Sequence, residues 1–104
     1  MNKQLHGQHF DVTAAAISGS AVATEAASTG RTHYVADISA SSPVSTVIVE
    51  VIDGSTILWS NIVGSGGFIG QKLSEPIAVT SGSAVTLRAG TAATIYINLG
   101  GFTI

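Results

Sequence analysis

Apolar residues recur at every second position through much of this chain, most clearly in residues 44–52 and 95–99. This period places successive side chains on opposite faces of an extended strand, whereas an amphipathic helix repeats its apolar face every three or four residues. Val, Ile and Thr, which favour strands, are common, while the helix formers Leu, Glu, Lys and Arg are scarce. The pattern therefore predicts an all-β protein.

The spacing of the expected strands indicates a single domain. Eight or nine short strands at spacings near ten residues, spread over residues 12–104, are typical of an antiparallel β-sandwich or jelly roll. The polar residues 1–11 are predicted to form an N-terminal arm. Residues 12–17 and 20–27 are interpreted as two strands, because their Ser, Gly and Thr content disfavours the alternative of an alanine-rich helix.

Glycine and proline mark the expected turns. Asp53-Gly54 predicts a hairpin, since glycine tolerates the positive φ that such turns require. Residues 68–73 and 77–80 are predicted to be two short strands separated near Pro76. Proline has no N–H to donate, so Pro76 is expected at a strand start or a sheet edge.

The register of the last part of the chain can also be predicted. A three-residue loop at positions 81–83 would pair Val79 with Val85 and keep their apolar side chains on one face. We therefore predict a hairpin there with an odd-length loop. Gly100-Gly101 is expected to bend the chain before its last residues.

The low charge of the chain excludes several classes of function. Only 10% of the 104 residues are Asp, Glu, Lys or Arg, against about 25% in a typical soluble domain. Four basic residues in all are too few for the phosphate-neutralising patch of a nucleic-acid binder or for a polybasic membrane anchor. The absence of cysteine excludes disulfides and thiolate chemistry.

Membrane and export signals are not expected. No apolar run approaches the roughly 20 residues that a transmembrane helix needs, and the alanine-rich stretch 12–27 is interrupted by polar residues. The chain is therefore expected to be made in the cytoplasm of the cell that produces it.

The segment from residue 47 to residue 59 is apolar on both faces, which predicts self-association. In a monomeric sandwich one face of each strand meets the core and the other meets water. If another subunit covers the second face, less apolar surface meets water, which also explains how so few charges keep the protein in solution. We predict a closed homo-oligomer, a trimer, and ordinary surface apolarity is the alternative. The expected interface residues are Ile48, Ile52, Ile57, Trp59, Phe102 and Ile104.

No catalytic or metal-binding motif is convincing. The glycine-rich residues 64–70 lack the spacing and the following helix of a phosphate loop, so a flexible hairpin loop is expected. His6, His9 and His33 have no carboxylate or cysteine at a ligand spacing nearby. His33 and Asp37 are expected to share a strand face, as are Tyr34 and Ile38, but no nucleophile-elbow pattern accompanies them. We predict no enzyme activity and no cofactor or metal.

Several segments carry a resemblance to a known family. They are residues 34–39, residues 47–59 with their central turn, Phe68 upstream of residues 76–87, and residues 95–102. In pattern and order, residues 31–104 resemble the small jelly-roll virion proteins of tailed bacteriophages. This group includes the capsid decoration (cement) proteins, and the resemblance does not extend to residues 1–30.

The resemblance implies a homotrimer that binds the outside of the expanded capsid at three-fold and quasi-three-fold junctions. It would stabilise the capsid against the pressure of packaged DNA. The implied partners are other copies of the chain and the major capsid protein, with no nucleic acid and no membrane, and the implied location is the capsid exterior. The arm is then flexible or in contact with the capsid, through Lys3, Leu5, His6, His9 and Phe10.

A receptor- or glycan-binding β-sandwich module of a phage head or tail fibre is the alternative function. Such a module needs exposed aromatic side chains in a groove. Trp59, Tyr34 and Tyr96 are the candidates, although Trp59 is also explained as a core or interface residue.

Overall fold

The structure is a computed structural model that describes residues 8–19, 21–90 and 93–104. Every regular element within these ranges is a β-strand. The eight strands are β1 (Gln8–Gly19), β2 (Val22–Glu25), β3 (His33–Ser42), β4 (Val47–Asp53), β5 (Thr56–Val63), β6 (Gly67–Ala78), β7 (Val85–Ala89) and β8 (Ala93–Thr103).

The strands form two four-stranded sheets that pack against each other. Sheet I has the order β1-β8-β3-β6, sheet II has the order β2-β7-β4-β5, and all pairings are antiparallel. Successive strands alternate between the sheets except at the β4–β5 hairpin. Eight strands in this order form a jelly roll, so the predicted fold class is confirmed. The strand interpretation of the N-terminal third is also right.

The core lies between the sheets and is built from aliphatic side chains. Val47, Val49 and Val51 of β4 are at most 1% exposed, as the alternation predicts. Phe10 of β1 and Trp59 of β5 pack against the core while remaining partly accessible. The buried apolar residues are Ala21, Ala23, Val35, Ile38, Ala40, Val47, Val49, Val51, Val63, Val79, Val85, Leu87, Ala89, Ile95, Ile97 and Leu99.

A β-bulge at Ala36 overturns the predicted facing of β3. The register of this strand shifts there against both of its neighbours, and one extra residue inverts which side chains point inward. His33 and Ile38 are therefore buried, while Tyr34 and Asp37 are partly exposed on the outer face. The prediction that His33 shares a face with Asp37, and Tyr34 with Ile38, is wrong because the bulge interrupts the strict alternation of side chains along the strand.

The predicted hairpin around residues 81–83 is also wrong. The preceding strand, β6, belongs to sheet I and pairs with β3, whereas β7 belongs to sheet II. Val79 and Val85 are both buried, so their apolar character was correctly assigned to the core. Apolar character at these two positions cannot distinguish a hairpin from a connection that crosses between the sheets, because both arrangements put the two side chains in the core.

Two expected breaks lie within continuous strands. β6 passes through Pro76 as a single strand with an irregularity opposite β3, and it is an edge strand of sheet I, as expected for proline. β8 continues as a strand through Gly100 and Gly101 to Thr103. A Cβ at Gly101 would overlap the carbonyl oxygen of Tyr34, so this glycine permits a close backbone approach instead.

The first strand begins within the segment predicted to be an arm. Gln8, His9, Phe10 and Asp11 pair with β8 along the edge of sheet I. Residues 1–7, which include Lys3, Leu5 and His6 of the proposed capsid contact, lie outside the described residues.

Candidate functional site

The outer face of sheet II carries a group of aliphatic side chains, which we call the isoleucine face. Paired residues of an antiparallel sheet point to the same side. Ile48 pairs with Ile62, and Ile52 pairs with Ile57, on the side opposite the buried valines of β4. Ile62 is 58% exposed and Ile57 52%. The isoleucine face consists of Val22, Ile48, Ile52, Ile57 and Ile62.

One ion pair lies among these aliphatic side chains. Arg88 of β7 and Glu50 of β4 are opposite each other in the sheet, and Nε of Arg88 donates to Oε1 of Glu50 at 3.0 Å. The Glu50 side chain is only 17% exposed, because its neighbours cover it. The charge on this face is therefore paired, and the isoleucine face presents little uncompensated polarity.

The predicted interface residues do not share one surface. Ile48, Ile52 and Ile57 belong to the isoleucine face. Trp59 pairs with buried Val51 and packs against the core. The other two are elsewhere: Phe102 lies on the outer face of sheet I, and Ile104 follows β8 and is 51% exposed. Ile62 was missed because a regular hairpin at Asp53-Gly54 would pair Ile48 with Asn61. A register shift between Val51 and Ile52 brings Ile62 opposite Ile48 instead.

The outer face of sheet I begins with a row of rings. Tyr34 of β3 stacks on Phe102 of β8, with ring centroids 5.1 Å apart and planes 12° apart. His9 of β1 meets the other side of Phe102 edge-on at 6.4 Å. The rings therefore pack mainly on each other, and Tyr34 does not line the groove found further along this face.

A groove of about 410 Å³ crosses the same outer face further along the strands. Exposed Phe68 of β6 and Tyr96 of β8 lie in one row on either side of Ser41, while Ser39 and Asn98 belong to the neighbouring row. The aromatic ring of Phe68 lies over Gly70: a Cβ there would be 3.0 Å from the ring. No side chain that lines this groove is charged; the lining residues are Thr13, Ala14, Ala15, Ser39, Ala40, Ser41, Phe68, Tyr96, Ile97 and Asn98.

His33 is buried and fully hydrogen-bonded. Its Nε2 lies 2.7 Å from the carbonyl oxygen of Ala26, which can only accept, so Nε2 carries the proton. Nδ1 then accepts from the hydroxyl of Thr103 at 2.7 Å, and Phe10 contacts the imidazole ring edge-on. With both ring nitrogens occupied, His33 is a structural link between the β2–β3 connection and β8.

Asp53 fastens the β4–β5 hairpin to the chain that follows β6. Its Oδ2 accepts from the Thr80 hydroxyl at 2.6 Å and from the Thr80 backbone N–H at 2.9 Å. These hydrogen bonds, the hydroxyl first, hold the pKa of this exposed carboxyl below its ordinary value of 3.8, because they stabilise the charged form. The arrangement is a surface clip between segments that lead to different sheets.

Motifs considered for chemistry lie apart from one another. Within the described ranges, no three His, Asp or Glu side chains group to hold a metal ion. The same ranges contain no helix that is long and apolar enough to cross a bilayer.

Residues 64–70 form a turn and the start of β6, with the N–H of Gly66 donating to the carbonyl of Ser42. The expected loop is confirmed for residues 64–66 only, since β6 begins at Gly67. The expected hairpin is wrong, because this segment connects the two sheets.

Known proteins give no assignment for this arrangement. The isoleucine face and the groove are therefore interpreted from their own residues. Comparison of the chain with family models, with curated proteins and with solved structures found no match.

Proposed function

We propose that the protein is structural and acts through association of its own copies, with the isoleucine face covered in the assembly. The observation that carries this proposal is the exposure of aliphatic side chains side by side on one sheet face. Removing such side chains from water stabilises a complex by roughly 25 cal/mol per Å² of apolar area. Aliphatic groups form no hydrogen bonds, so another apolar surface is the partner that suits them.

A closed homotrimer is the form of assembly that we propose. Stable interfaces bury about 800 Å² per partner, which is more than the isoleucine face alone offers. Polar neighbours on the edge strands, such as Thr24 and Ser60, would form the rim, and the Arg88–Glu50 pair would be covered between the aliphatic side chains. Closed rings give each copy two contacts at once, so modest individual contacts suffice.

In its specific form, the proposal is a capsid decoration protein on the exterior of a phage virion. It follows from the resemblance of residues 31–104 and from the small number of charges. A trimer touching several capsomers binds with avidity, and binding only the expanded shell stabilises that shell. The major capsid protein is the proposed partner.

The arm is proposed to contact the capsid. β1, which follows the arm in the sequence, is an edge strand of sheet I, and a sheet edge is where an added segment can pair with another chain. His9 is exposed, whereas Phe10 packs against the core. Deleting residues 1–7 tests the arm without removing the β1 residues that pair with β8; unchanged capsid binding would contradict a capsid-contacting arm.

Sedimentation at micromolar concentration tests the assembly. We expect a trimer for the natural sequence and a monomer for a variant with Ile48→Lys and Ile62→Lys, because lysine cannot be buried unpaired. Thr13→Lys, on the outer face of sheet I, is the matched control and should remain trimeric. A monomeric natural protein contradicts the proposal.

Co-sedimentation tests the specific form. Expanded and unexpanded capsids of the virus that encodes the chain are mixed with the purified protein. We expect binding to expanded capsids alone. A trimer that binds neither capsid keeps the assembly proposal and rejects the decoration role.

The receptor- or glycan-binding module remains the second candidate. Of its three predicted aromatic residues, Tyr96 lines a groove, Tyr34 is stacked on Phe102, and Trp59 packs against the core. The groove is the specific observation in favour of this candidate.

A further inference from the structure

We infer that the groove on the outer face of sheet I is a binding site for a neutral saccharide. Phe68 and Tyr96 form its two aromatic borders, and Ser39, Ser41 and Asn98 form its polar floor. This inference rests on the second candidate function, the glycan-binding module. It concerns a different face from the proposed subunit interface, so the two can fail separately.

The aromatic borders are placed to hold the apolar faces of sugar rings. Phe68 is 70% exposed and Tyr96 52%, so both present ring surface to solvent. They are separated by the strand of Ser41, which puts their backbones roughly 10 Å apart. This spacing leaves room for a saccharide over the floor, with its C–H surfaces against the rings.

The position of the Phe68 ring depends on the absence of a side chain at Gly70. Since a Cβ at Gly70 would meet this ring at 3.0 Å, the ring leans along β6 toward the row of Ser39 and Asn98. The missing side chain at Gly70 thus opens the groove and fixes one of its borders. A larger residue would push the ring away from the floor.

The floor offers hydrogen bonds without charge. Hydroxyl and amide side chains both donate and accept, as sugar hydroxyls do. Among the described residues, the side chains of Ser39, Ser41 and Asn98 have no protein hydrogen-bond partner, which leaves them available to a ligand. A concave site with apolar borders and a few polar groups is the usual form of a small-molecule site.

Other occupants fit the groove less well. A nucleic acid requires cationic side chains, and none lines the groove. An extended peptide would pair with a sheet edge, but the floor belongs to β8 and β3, which are interior strands of sheet I. A second apolar protein surface suits the isoleucine face, but it does not suit the floor of the groove, which carries hydroxyl groups. A neutral saccharide satisfies both the rings and the floor.

The test uses the full chain and a panel of immobilised neutral oligosaccharides built from glucose, galactose, mannose or N-acetylglucosamine, with sulfated chains as the anionic arm. We expect at least one neutral oligosaccharide to bind with a Kd of about 1 mM or tighter. Absence of binding across the neutral panel overturns the inference. Binding of sulfated chains alone overturns it as well, since no cationic side chain lines the groove to hold an anion.

Variants then locate the site. Phe68→Ala and Tyr96→Ala should each weaken binding about tenfold, and Gly70→Ala should weaken it through displacement of the Phe68 ring. Tyr34→Ala, an aromatic change on the same face outside the groove, is the matched control and should bind as the natural sequence does. Circular dichroism confirms that each variant is folded. Unchanged binding in the Phe68 and Tyr96 variants, or a changed oligomeric state, overturns the assignment.

Discussion

The two outer faces of the sandwich differ in what can cover them. On sheet II, Ile48, Ile57 and Ile62 present aliphatic surface with one compensated ion pair. On sheet I, Phe68 and Tyr96 border a floor of hydroxyl and amide groups. Exposed aliphatic side chains are removed from water only when another apolar surface covers them. Polar groups, by contrast, can be hydrogen-bonded to water until a polar ligand replaces it. The difference points to association through one face and ligand binding through the other.

Both faces depend on the same cooperative unit, and Gly101→Ala should give the largest effect. Gly101 lies in β8, between its partners on β1 and β3. An added Cβ would overlap the Tyr34 carbonyl and approach the Phe10 ring. We expect the free energy of unfolding to fall by about 3 kcal/mol, measured by urea denaturation. Assembly and saccharide binding should be lost together.

Gly64→Ala is the matched control for this change. A Cβ at Gly64 has nothing within 4 Å, so its unfolding curve should match that of the natural sequence. Equal stability of the Gly101 and Gly64 variants would show that β8 moves to accept the side chain.

How far the sequence predicts these faces depends on local irregularities. The alternation in β4 correctly placed Val47 and Val49 inside and Ile48 outside, because that strand is regular there. In β3 the bulge at Ala36 inverted the pattern. A bulge depends on the neighbouring strands, including the close approach at Gly101, and alternation along one strand does not contain that information.

The groove was beyond sequence reasoning for a related reason. Phe68, Ser41 and Tyr96 are far apart in the chain and meet because β6, β3 and β8 are neighbours in sheet I. The sequence predicted a hairpin only for residues 77–80, and it treated residues 68–73 as a separate strand, so it assigned no neighbouring strand to Phe68. The correct neighbours follow from the jelly-roll topology, and strand spacing alone fitted either arrangement.

His33→Ala should destabilise the molecule without distinguishing the two faces. The change leaves the Ala26 carbonyl and the Thr103 hydroxyl without their partner and opens a cavity beside Phe10. We expect a loss of about 2 kcal/mol in the free energy of unfolding, measured by urea denaturation. Both binding activities of the folded fraction should remain, since neither face includes His33.

Thr103→Val tests the hydrogen-bond part of that loss alone. It keeps the shape of the side chain and removes the hydroxyl, so a loss of about 1 kcal/mol is expected. A Thr103 variant as unstable as the His33 variant would mean that the cavity contributes nothing.

Glu50→Gln should affect assembly more than folding. The Glu50–Arg88 pair is partly solvated in one copy, so the free energy of unfolding should change by less than about 1 kcal/mol. When another copy covers the isoleucine face, Arg88 has lost its counter-charge in a drier environment, and association should weaken about tenfold. Sedimentation equilibrium measures this effect. Lys72→Gln on sheet I is the control, and stronger association of the Glu50 variant would mean that the pair opposes assembly.

Asp53→Asn should have the smallest effect, and it should depend on pH. Because the Thr80 hydrogen bonds lower the pKa of Asp53 in the folded state, their contribution to stability is present above the ordinary pKa of 3.8. It is lost as pH falls through the lower, folded value. The natural sequence should therefore be more stable than the variant at neutral pH, and the difference in Tm should shrink below about pH 4. Solvent screening keeps the difference small. A difference in Tm that stays constant across this pH range would show that the effect comes from the geometry of the clip and not from the charge of Asp53. In either case assembly and saccharide binding should be unchanged, because the clip lies outside both faces.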